Sequence, residues 1–237
     1  MNLVYCADYR EMSRLAATLI LDALSTKPDL LLCTATGSSP EGLYNELALF
    51  ARENRDIFDQ MRVLKLDEWG GIPENHPVTC EYYLRKYLLD PLAIPAERYI
   101  SFRSDPADPK EECSRIGSLL ERDGPIDICI LGLGLNGHLG LNEPATELEP
   151  GSHVATLSEA SLQHPMIASL KSKPAYGLTL GMQEILSSRQ IVLLVSGKEK
   201  KTIAEEFLGG EVSNELPASH LWQHDCTDCL VDKRILD

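Results

Sequence analysis

Residues 30–50 read Leu30-Leu-Leu-Cys-Thr-Ala-Thr-Gly-Ser-Ser-Pro-Glu-Gly-Leu-Tyr-Asn-Glu-Leu-Ala-Leu-Phe50, which is a short apolar run, a turn of small residues and a segment of helical period. An apolar run of this length, bounded by turn residues, predicts a strand buried on both faces. The same order recurs along the chain, so the sequence predicts an α/β fold: one doubly wound, mainly parallel, Rossmann-like sheet with helices on both faces. Strands are predicted at residues 30–33, 62–66, 126–131, 176–180 and 190–195, and helices at residues 41–50, 80–89 and 198–208, with a short one ending at residue 187.

Length and charge narrow the class of function. The chain has 237 residues, of which 43% are hydrophobic, and 36 acidic residues against 22 basic ones give a formal charge of −14. Because α/β sheets of this length often form one unit, we expect a single domain over residues 1–237. The negative charge repels nucleic-acid backbones and anionic lipids, which excludes nucleic acid and membrane surfaces as partners. A phosphorylated ligand would need a local site of backbone N–H groups and a few cations.

Other features of the sequence indicate a cytoplasmic protein. No apolar run approaches the ~20 residues that span a bilayer, and the N-terminal residues do not form an export signal. The seven cysteines are an odd number scattered along the chain, unlike the disulfide framework of a secreted domain. We therefore expect free thiols.

Ligands of doubly wound sheets bind at the carboxyl ends of the strands, so the loops there are the candidate sites. The first loop contains Thr36, Gly37, Ser38 and Ser39, and it precedes a helix with a proline in its first turn. Small residues let a phosphate approach the backbone, and hydroxyls and the N–H groups of the helix start can bind it. The alternative is that Ser39 merely caps a helix at Pro40.

The second loop carries two adjacent carboxylates, Asp67 and Glu68, at the end of a predicted buried strand. An acid in that position is either a structural residue in a salt bridge or cap, or a base whose pKa is tuned by burial and by its neighbour. Sequence reasoning leaves both interpretations open.

The third loop begins with Gly132-x-Gly134-x-x-Gly137, the spacing of a dinucleotide-binding fingerprint. The fingerprint needs a helix at its third glycine, whereas a glycine and a proline interrupt the residues that follow here, so we expect no nucleotide or flavin cofactor. The loop does hold His138 between Asn136 and Glu143. A histidine hydrogen-bonded to an acid can carry a proton, and the alternative is a buried structural histidine.

Four residues near the C-terminus are ligand types for zinc. His220 and His224 precede Cys226 and Cys229, but they fall within ten residues, with no loop between the two pairs, and lead into a predicted strand. We therefore expect neither a metal site nor a redox Cys-x-x-Cys site here.

Together the three loops resemble the glucosamine-6-phosphate deaminase and isomerase family, and more closely its galactosamine-6-phosphate isomerase (deaminase) branch. The resemblance spans nearly the whole chain, through motifs at residues 36–40, 65–69, 79–81, 100–104, 131–144, 178–181, 196–200 and 216–219.

The resemblance implies a role for each candidate residue. Asp67 matches the general base that moves a proton between C2 and C1 of the opened sugar. His138 matches the residue that assists ring opening, and Glu143 matches the carboxylate that orients it. Residues 36–39 match the phosphate cradle, and Lys200 matches the phosphate-binding lysine.

Two departures from the glucosamine-type pattern stand out. Asn136 replaces an aspartate two residues before the histidine, as in the galactosamine-type branch, so the histidine is less biased to its cationic form. No arginine stands near residues 162–165, where the glucosamine-type enzymes hold phosphate with one. Phosphate binding would then depend on Lys200, with His164 as a helper.

The resemblance implies cofactor-free, isomerising deamination of a small sugar phosphate: galactosamine 6-phosphate would give tagatose 6-phosphate and ammonia. Three alternatives stay open, namely a glucosamine-6-phosphate deaminase, a 6-phosphogluconolactonase and an inactive sugar-phosphate sensor. The sequence leaves open whether the chain forms a homo-oligomer.

Overall fold

The computed structural model describes residues 1–236, which form ten strands and eight α-helices. The strands are β1 (Asn2–Cys6), β2 (Leu31–Thr34), β3 (Arg62–Lys65), β4 (Asp67–Gly70), β5 (Tyr99–Ile100), β6 (Ile128–Gly132), β7 (His153–Ala155), β8 (Tyr176–Thr179), β9 (Gln190–Val195) and β10 (Thr227–Asp232). The helices are α1 (Tyr9–Thr26), α2 (Ser38–Ala51), α3 (Cys80–Leu84), α4 (Asp90–Leu92), α5 (Pro109–Asp123), α6 (Glu159–Leu162), α7 (Met182–Leu186) and α8 (Lys201–Leu208). A π-helical turn, Arg85–Leu89, joins α3 to α4.

The main sheet has seven strands in the order β1-β10-β9-β6-β2-β3-β5, and all its neighbouring strands are parallel. Its apolar side chains alternate between two core clusters. One cluster packs against α5, α7 and α8, and the other packs against α1 and α2. The predicted doubly wound α/β sheet with helices on both faces is therefore confirmed.

A second sheet of three antiparallel strands, in the order β4-β8-β7, was not predicted from the sequence. The chain leaves the main sheet at Leu66, whose N–H donates to Thr34 of β2 and whose carbonyl accepts from Leu180 beyond β8. Asp67 then pairs with Thr179 in the small sheet. This sheet covers the carboxyl end of β3 and brings Asp67 to that end.

The helix after β2 begins earlier than expected. Gly37 is the N-cap of α2, with φ 106°, and Ser38 and Ser39 already lie inside the helix. The alternative that Ser39 is the cap before Pro40 is therefore wrong. Only a residue without Cβ adopts this positive φ without strain, so the glycine is what lets the helix start directly above the strand end.

The sequence also predicts free thiols and no segment that spans a bilayer. All seven cysteines are free, and Cys226 is the exposed one. Within residues 1–236, none of the helices combines the length and the apolar character that crossing a bilayer requires.

The junction between β8 and α7 offers a test of the packing. A Cβ on Gly181 would overlap the backbone of Pro150 and Gly151, whereas one on Gly117, inside α5, would meet nothing closer than 3.7 Å. We predict that Gly181→Ala lowers the free energy of unfolding by ~1–3 kcal/mol through overpacking. Gly117→Ala should instead raise it by roughly 0.5–1 kcal/mol through helix propensity. Urea unfolding measures both changes, and equal effects of the two substitutions would contradict this packing.

Candidate active site

A cavity of about 590 Å³ lies at the carboxyl ends of β2, β6 and β9, and all three predicted loops reach it. A larger cleft of about 700 Å³ lies at the ends of β1, β9 and β10, and Ser38 is the one predicted site residue that lines it. We take the smaller cavity as the candidate active site because the predicted residues converge there. Its lining includes Thr36, Gly37, Ser38, Ser39, Asp67, His138 and Lys200, together with His164, Trp69 and Cys80.

The predicted phosphate cradle is the start of α2. The Tyr83 hydroxyl donates to the Gly37 carbonyl at 2.7 Å, and the Tyr44 hydroxyl donates to the Ala35 carbonyl at 2.7 Å, so both carbonyls are occupied. The first N–H groups of a helix have no partner within it and attract anions. The turn is therefore held in a shape that presents donors.

Lys200 reaches the cradle from the other side of the cavity. Its Nζ lies 3.4 Å from Ser39 Oγ, which also accepts from Ser196 Oγ at 3.1 Å. Burial lowers the pKa of the Lys200 ammonium, and the neighbouring Glu199 opposes this shift. An anion in the cradle would stabilise the charged lysine, so the geometry suits a phosphate group.

Asp67 is half-buried and lines the cavity, and the Cys80 thiol lies beside it, with Sγ 3.9 Å from Oδ1. Burial raises the pKa of the Asp67 carboxyl, and the negative charge of Glu68 raises it further. Lys65 and Cys80 lower it in part, and the resulting pKa is about 7. A carboxyl group with this pKa can accept and return a proton near neutral pH.

Glu68 differs from its neighbour Asp67 in that all of its side chain is buried and hydrogen-bonded. Its side chain is 0% exposed, accepts from the backbone N–H groups of Trp69, Cys80 and Glu81, and pairs with Lys65 Nζ at 2.7 Å. Adjacent strand residues point to opposite faces. Glu68 is therefore the structural member of the pair, and Asp67 is free for chemistry.

His138 is held by an amide more closely than by an acid. Its Nδ1 lies 2.7 Å from Asn136 Oδ1 and 3.5 Å from Glu143 Oε2, while Asn136 Nδ2 donates to Glu143 Oε2 at 2.8 Å. Because the ionised Glu143 only accepts, the Asn136 amide must turn its NH₂ to Glu143 and its oxygen to the histidine. The proton of the neutral ring then sits on Nδ1, and Nε2 is an acceptor. His138 therefore contacts Glu143 directly at 3.5 Å, and Asn136 joins the two side chains through shorter hydrogen bonds.

Glu143 lies behind His138, outside the cavity lining. Burial alone would raise the pKa of its carboxyl, but hydrogen bonds with His138, Ser161 and Asn136 outweigh burial and hold the pKa at about 2. The Ser158 N–H donates to Oε1 at 3.1 Å, and so does the Ser161 hydroxyl. Glu143 is therefore anionic at any working pH and can support a positive charge on the histidine.

Sequence reasoning missed three contributors to the site. Ser158 and Ser161 fix Glu143 from the start of α6, and the thiol of Cys80 lies between Asp67 and the Thr36 hydroxyl. Serine is a preferred helix N-cap, which is the place Ser158 takes before α6, but no feature of the sequence connects that cap with residue 143.

The residues of the two rejected motifs lie in irregular backbone or have local hydrogen-bond partners. Residues 138–144 contain no helix, so the glycine loop lacks the form that a dinucleotide fingerprint requires. His220 contacts Asn214, and His224 lies between Thr227 and the Ser188 carbonyl. In the part of the chain that is described, no three potential metal ligands of the His, Cys, Asp or Glu type come together.

A parallel sheet whose strand ends bring a carboxylate, a histidine and a helix start into one cavity has the architecture of an α/β enzyme. The chain belongs to the family of glucosamine-6-phosphate isomerases and 6-phosphogluconolactonases, whose sequence profile matches residues 9–230. The family predicted from the sequence is therefore confirmed.

Two relatives cover most of the chain. A protein of Escherichia coli (strain K12), whose provisional name is deaminase AgaI, is 37% identical over 225 residues, which is 95% of this chain and 89% of that protein. Glucosamine-6-phosphate deaminase 1 of Bacillus subtilis (strain 168) is 34% identical over 235 residues, 98% of this chain and 97% of that protein.

Solved structures show the same fold. A monomeric glucosamine-6-phosphate deaminase superposes with a TM-score of 0.93 at 34% identity and full coverage of both chains. A 6-phosphogluconolactonase from Trypanosoma cruzi superposes with a TM-score of 0.79 at 21% identity, covering 99% of this chain and 95% of that one, which is a likeness of fold alone.

The raised pKa of Asp67 predicts how stability depends on pH. The unfolded chain loses this proton near the usual aspartate pKa of 3.8 and the folded protein near 7, so ionising Asp67 lowers stability as pH rises between these values. We predict that the free energy of unfolding of Asp67→Asn at pH 8 exceeds that of the wild type by about 1 kcal/mol or more. Each kcal/mol corresponds to a rise in Tm of roughly 2–4 °C for a chain of this length. The difference should shrink at pH 5. Thermal unfolding at both values measures it, and a difference independent of pH would contradict the burial of this charge.

Proposed function

We propose that this protein is an isomerising deaminase of an amino-sugar 6-phosphate, and that its substrate is galactosamine 6-phosphate, which it converts to tagatose 6-phosphate and ammonia. The observation that carries the proposal is the pairing of Asp67, with a pKa of about 7, with the His138 relay in one cavity. Family membership supports the reaction class.

The phosphate of the sugar would bind at the start of α2. Thr36, Ser38 and Ser39 offer hydroxyls, Gly37 leaves room beside the backbone, and Lys200 supplies a positive charge. Fixing the phosphate places the rest of the sugar deeper in the cavity, where Asp67 and His138 lie. Such positioning is a large part of what an enzyme contributes.

Ring opening is the task we assign to His138. Its Nε2 is the acceptor of the neutral ring, so it can take the proton from the hydroxyl at C1 and return it to the ring oxygen. The imidazolium formed between these steps is stabilised by the anionic Glu143 through Asn136. The products of this step are the open-chain aldehyde and the original neutral histidine.

Isomerisation is the task we assign to Asp67. Its carboxylate takes the proton from C2 while the ammonium group at C2 passes a proton to the aldehyde oxygen at C1, which gives a neutral enolamine, and the protonated carboxyl then returns its proton to C1. The resulting iminium ion at C2 adds water, the C–N bond breaks, and ammonia and a proton leave to give the ketose phosphate. One water is consumed and no cofactor takes part.

Galactosamine 6-phosphate and glucosamine 6-phosphate differ only in the configuration at C4, so the choice between them rests on finer evidence. Asn136 in place of an aspartate supports the galactosamine type, by the resemblance found in the sequence. The Bacillus subtilis relative is named for glucosamine 6-phosphate, which keeps that substrate as the second candidate. The cytoplasmic location expected from the sequence stays a prediction.

A side-by-side assay tests the proposal. We expect ammonia from galactosamine 6-phosphate, with kcat/KM at least about tenfold higher than for glucosamine 6-phosphate, a difference of roughly 1.4 kcal/mol in transition-state binding. 6-Phosphogluconolactone should not be hydrolysed above background. Preference for glucosamine 6-phosphate would correct the substrate alone. If neither amino sugar releases ammonia although sugar phosphates bind, the protein is a sensor and the proposal is wrong.

The role of Asp67 has its own test. The kcat/KM of the wild type should rise with pH and level off above about 7, because the free enzyme needs Asp67 ionised. Glu68→Gln removes the negative charge that helps to raise this pKa, so the rise should move to lower pH if circular dichroism shows the variant folded. Asp67→Asn should abolish exchange of the C2 proton with deuterated solvent, and exchange that persists would reassign the base.

A further inference from the structure

His164 lies over the start of α2 in a fixed orientation. It is the N-cap of the 3₁₀ turn Pro165–Ile167, where its Nδ1 accepts from the Met166 N–H at 3.2 Å. Its ring tilts against Trp69, with centroids 5.7 Å apart. Because Nδ1 is an acceptor, the proton of the neutral ring sits on Nε2.

That Nε2 proton faces the cradle. Nε2 lies 3.6 Å from the place where a Cβ on Gly37 would stand. Gly37 has none, so the space between the imidazole and the first turn of α2 is part of the open cavity. Lys200 borders the same space through Ser39. An N–H donor, a helix start and an ammonium group therefore border the same part of the cavity.

Burial and the neighbouring positive charges oppose protonation of His164. Burial lowers the pKa of the imidazole to about 4, and positive charge on His138 and Lys200 adds to the effect. The other titratable groups that line the cavity are Asp67, Cys80, Glu41, Glu199, Tyr83 and Tyr87. A dianion bound between His164 and Lys200 would reverse the local potential and favour the imidazolium.

We propose that His164 binds the substrate phosphate through Nε2 and takes up a proton from solvent when the phosphate dianion arrives, so that anion binding is linked to proton uptake. The identity of the phosphate-bearing substrate rests on the proposed function, but the anion site does not. A neutral imidazole would admit the anion, and protonation would then hold it with a charge-assisted bond.

Sulfate is a suitable probe because it is tetrahedral and stays a dianion across the pH range of the experiment. Titration calorimetry at pH 6 in two buffers with different ionisation enthalpies counts the protons taken up. We expect the wild type to take up a clear fraction of one proton per sulfate, and its Kd to rise with pH. His164→Gln keeps a donor near the position of Nε2 but cannot take up a proton, so it should bind about tenfold more weakly with no such uptake.

His76→Gln is the matched control. His76 Nδ1 also accepts from a backbone N–H two residues on, that of Val78 at 3.4 Å, but His76 does not line the cavity. This variant should bind sulfate as the wild type does. Equal proton uptake in the wild type and His164→Gln, or no binding of sulfate by the wild type, would overturn the proposal.

Kinetics separate this role from a merely structural one. With galactosamine 6-phosphate, His164→Gln should raise KM about tenfold and leave kcat within a factor of about three, whereas a structural defect lowers kcat and stability together. His164→Arg should restore sulfate binding and abolish its proton linkage. If no amino sugar reacts but sulfate binding shows the linkage, the deaminase proposal fails and this one stands.

Discussion

The ion pair between Lys65 and Glu68 is the interaction on which the site depends. Lys65 ends a strand of the main sheet and Glu68 lies in the small sheet, so their contact of 2.7 Å joins the two sheets where the chain passes from one to the other. Glu68 also receives the N–H groups at the start of α3, and Lys65 reaches Glu81 in that helix at 3.2 Å. Burying two charges is favourable only when their hydrogen-bonding capacity is filled, and here it is filled by three elements at once. The direction of Asp67 follows, because Glu68 occupies the opposite face of β4.

The same arrangement sets the electrostatics of the cavity. Burial raises the pKa of the Asp67 carboxyl, and the charge of Glu68, which Lys65 compensates only in part, raises it further, to about 7. On the opposite wall, Lys200, His164 and His138 place cationic or protonatable groups within a protein of formal charge −14. Fixed charges in a poorly solvated cavity act more strongly than the net charge of the molecule. An acidic protein can in this way hold an anion.

Much of the fold could be predicted from the sequence because it follows from local patterns. The runs at residues 30–33 and 190–195 are strands of the main sheet, and the three loops at strand ends line one cavity. The small sheet could not be predicted, because β4 is four residues long and pairs with β8, more than a hundred residues later. Glu68 and Asp67 could not be told apart either. Their difference lies in backbone N–H groups that come from another part of the chain, and a pattern of side chains does not reveal these.

The amide of Asn136 makes the two ring nitrogens of His138 differ in their ability to exchange a proton. A carboxylate in its place could exchange protons with the ring, but an amide neither gains nor loses one under ordinary conditions, so Nδ1 keeps its hydrogen through each turnover. Proton exchange at this imidazole is therefore confined to Nε2, the ring nitrogen that remains for a ligand in the cavity.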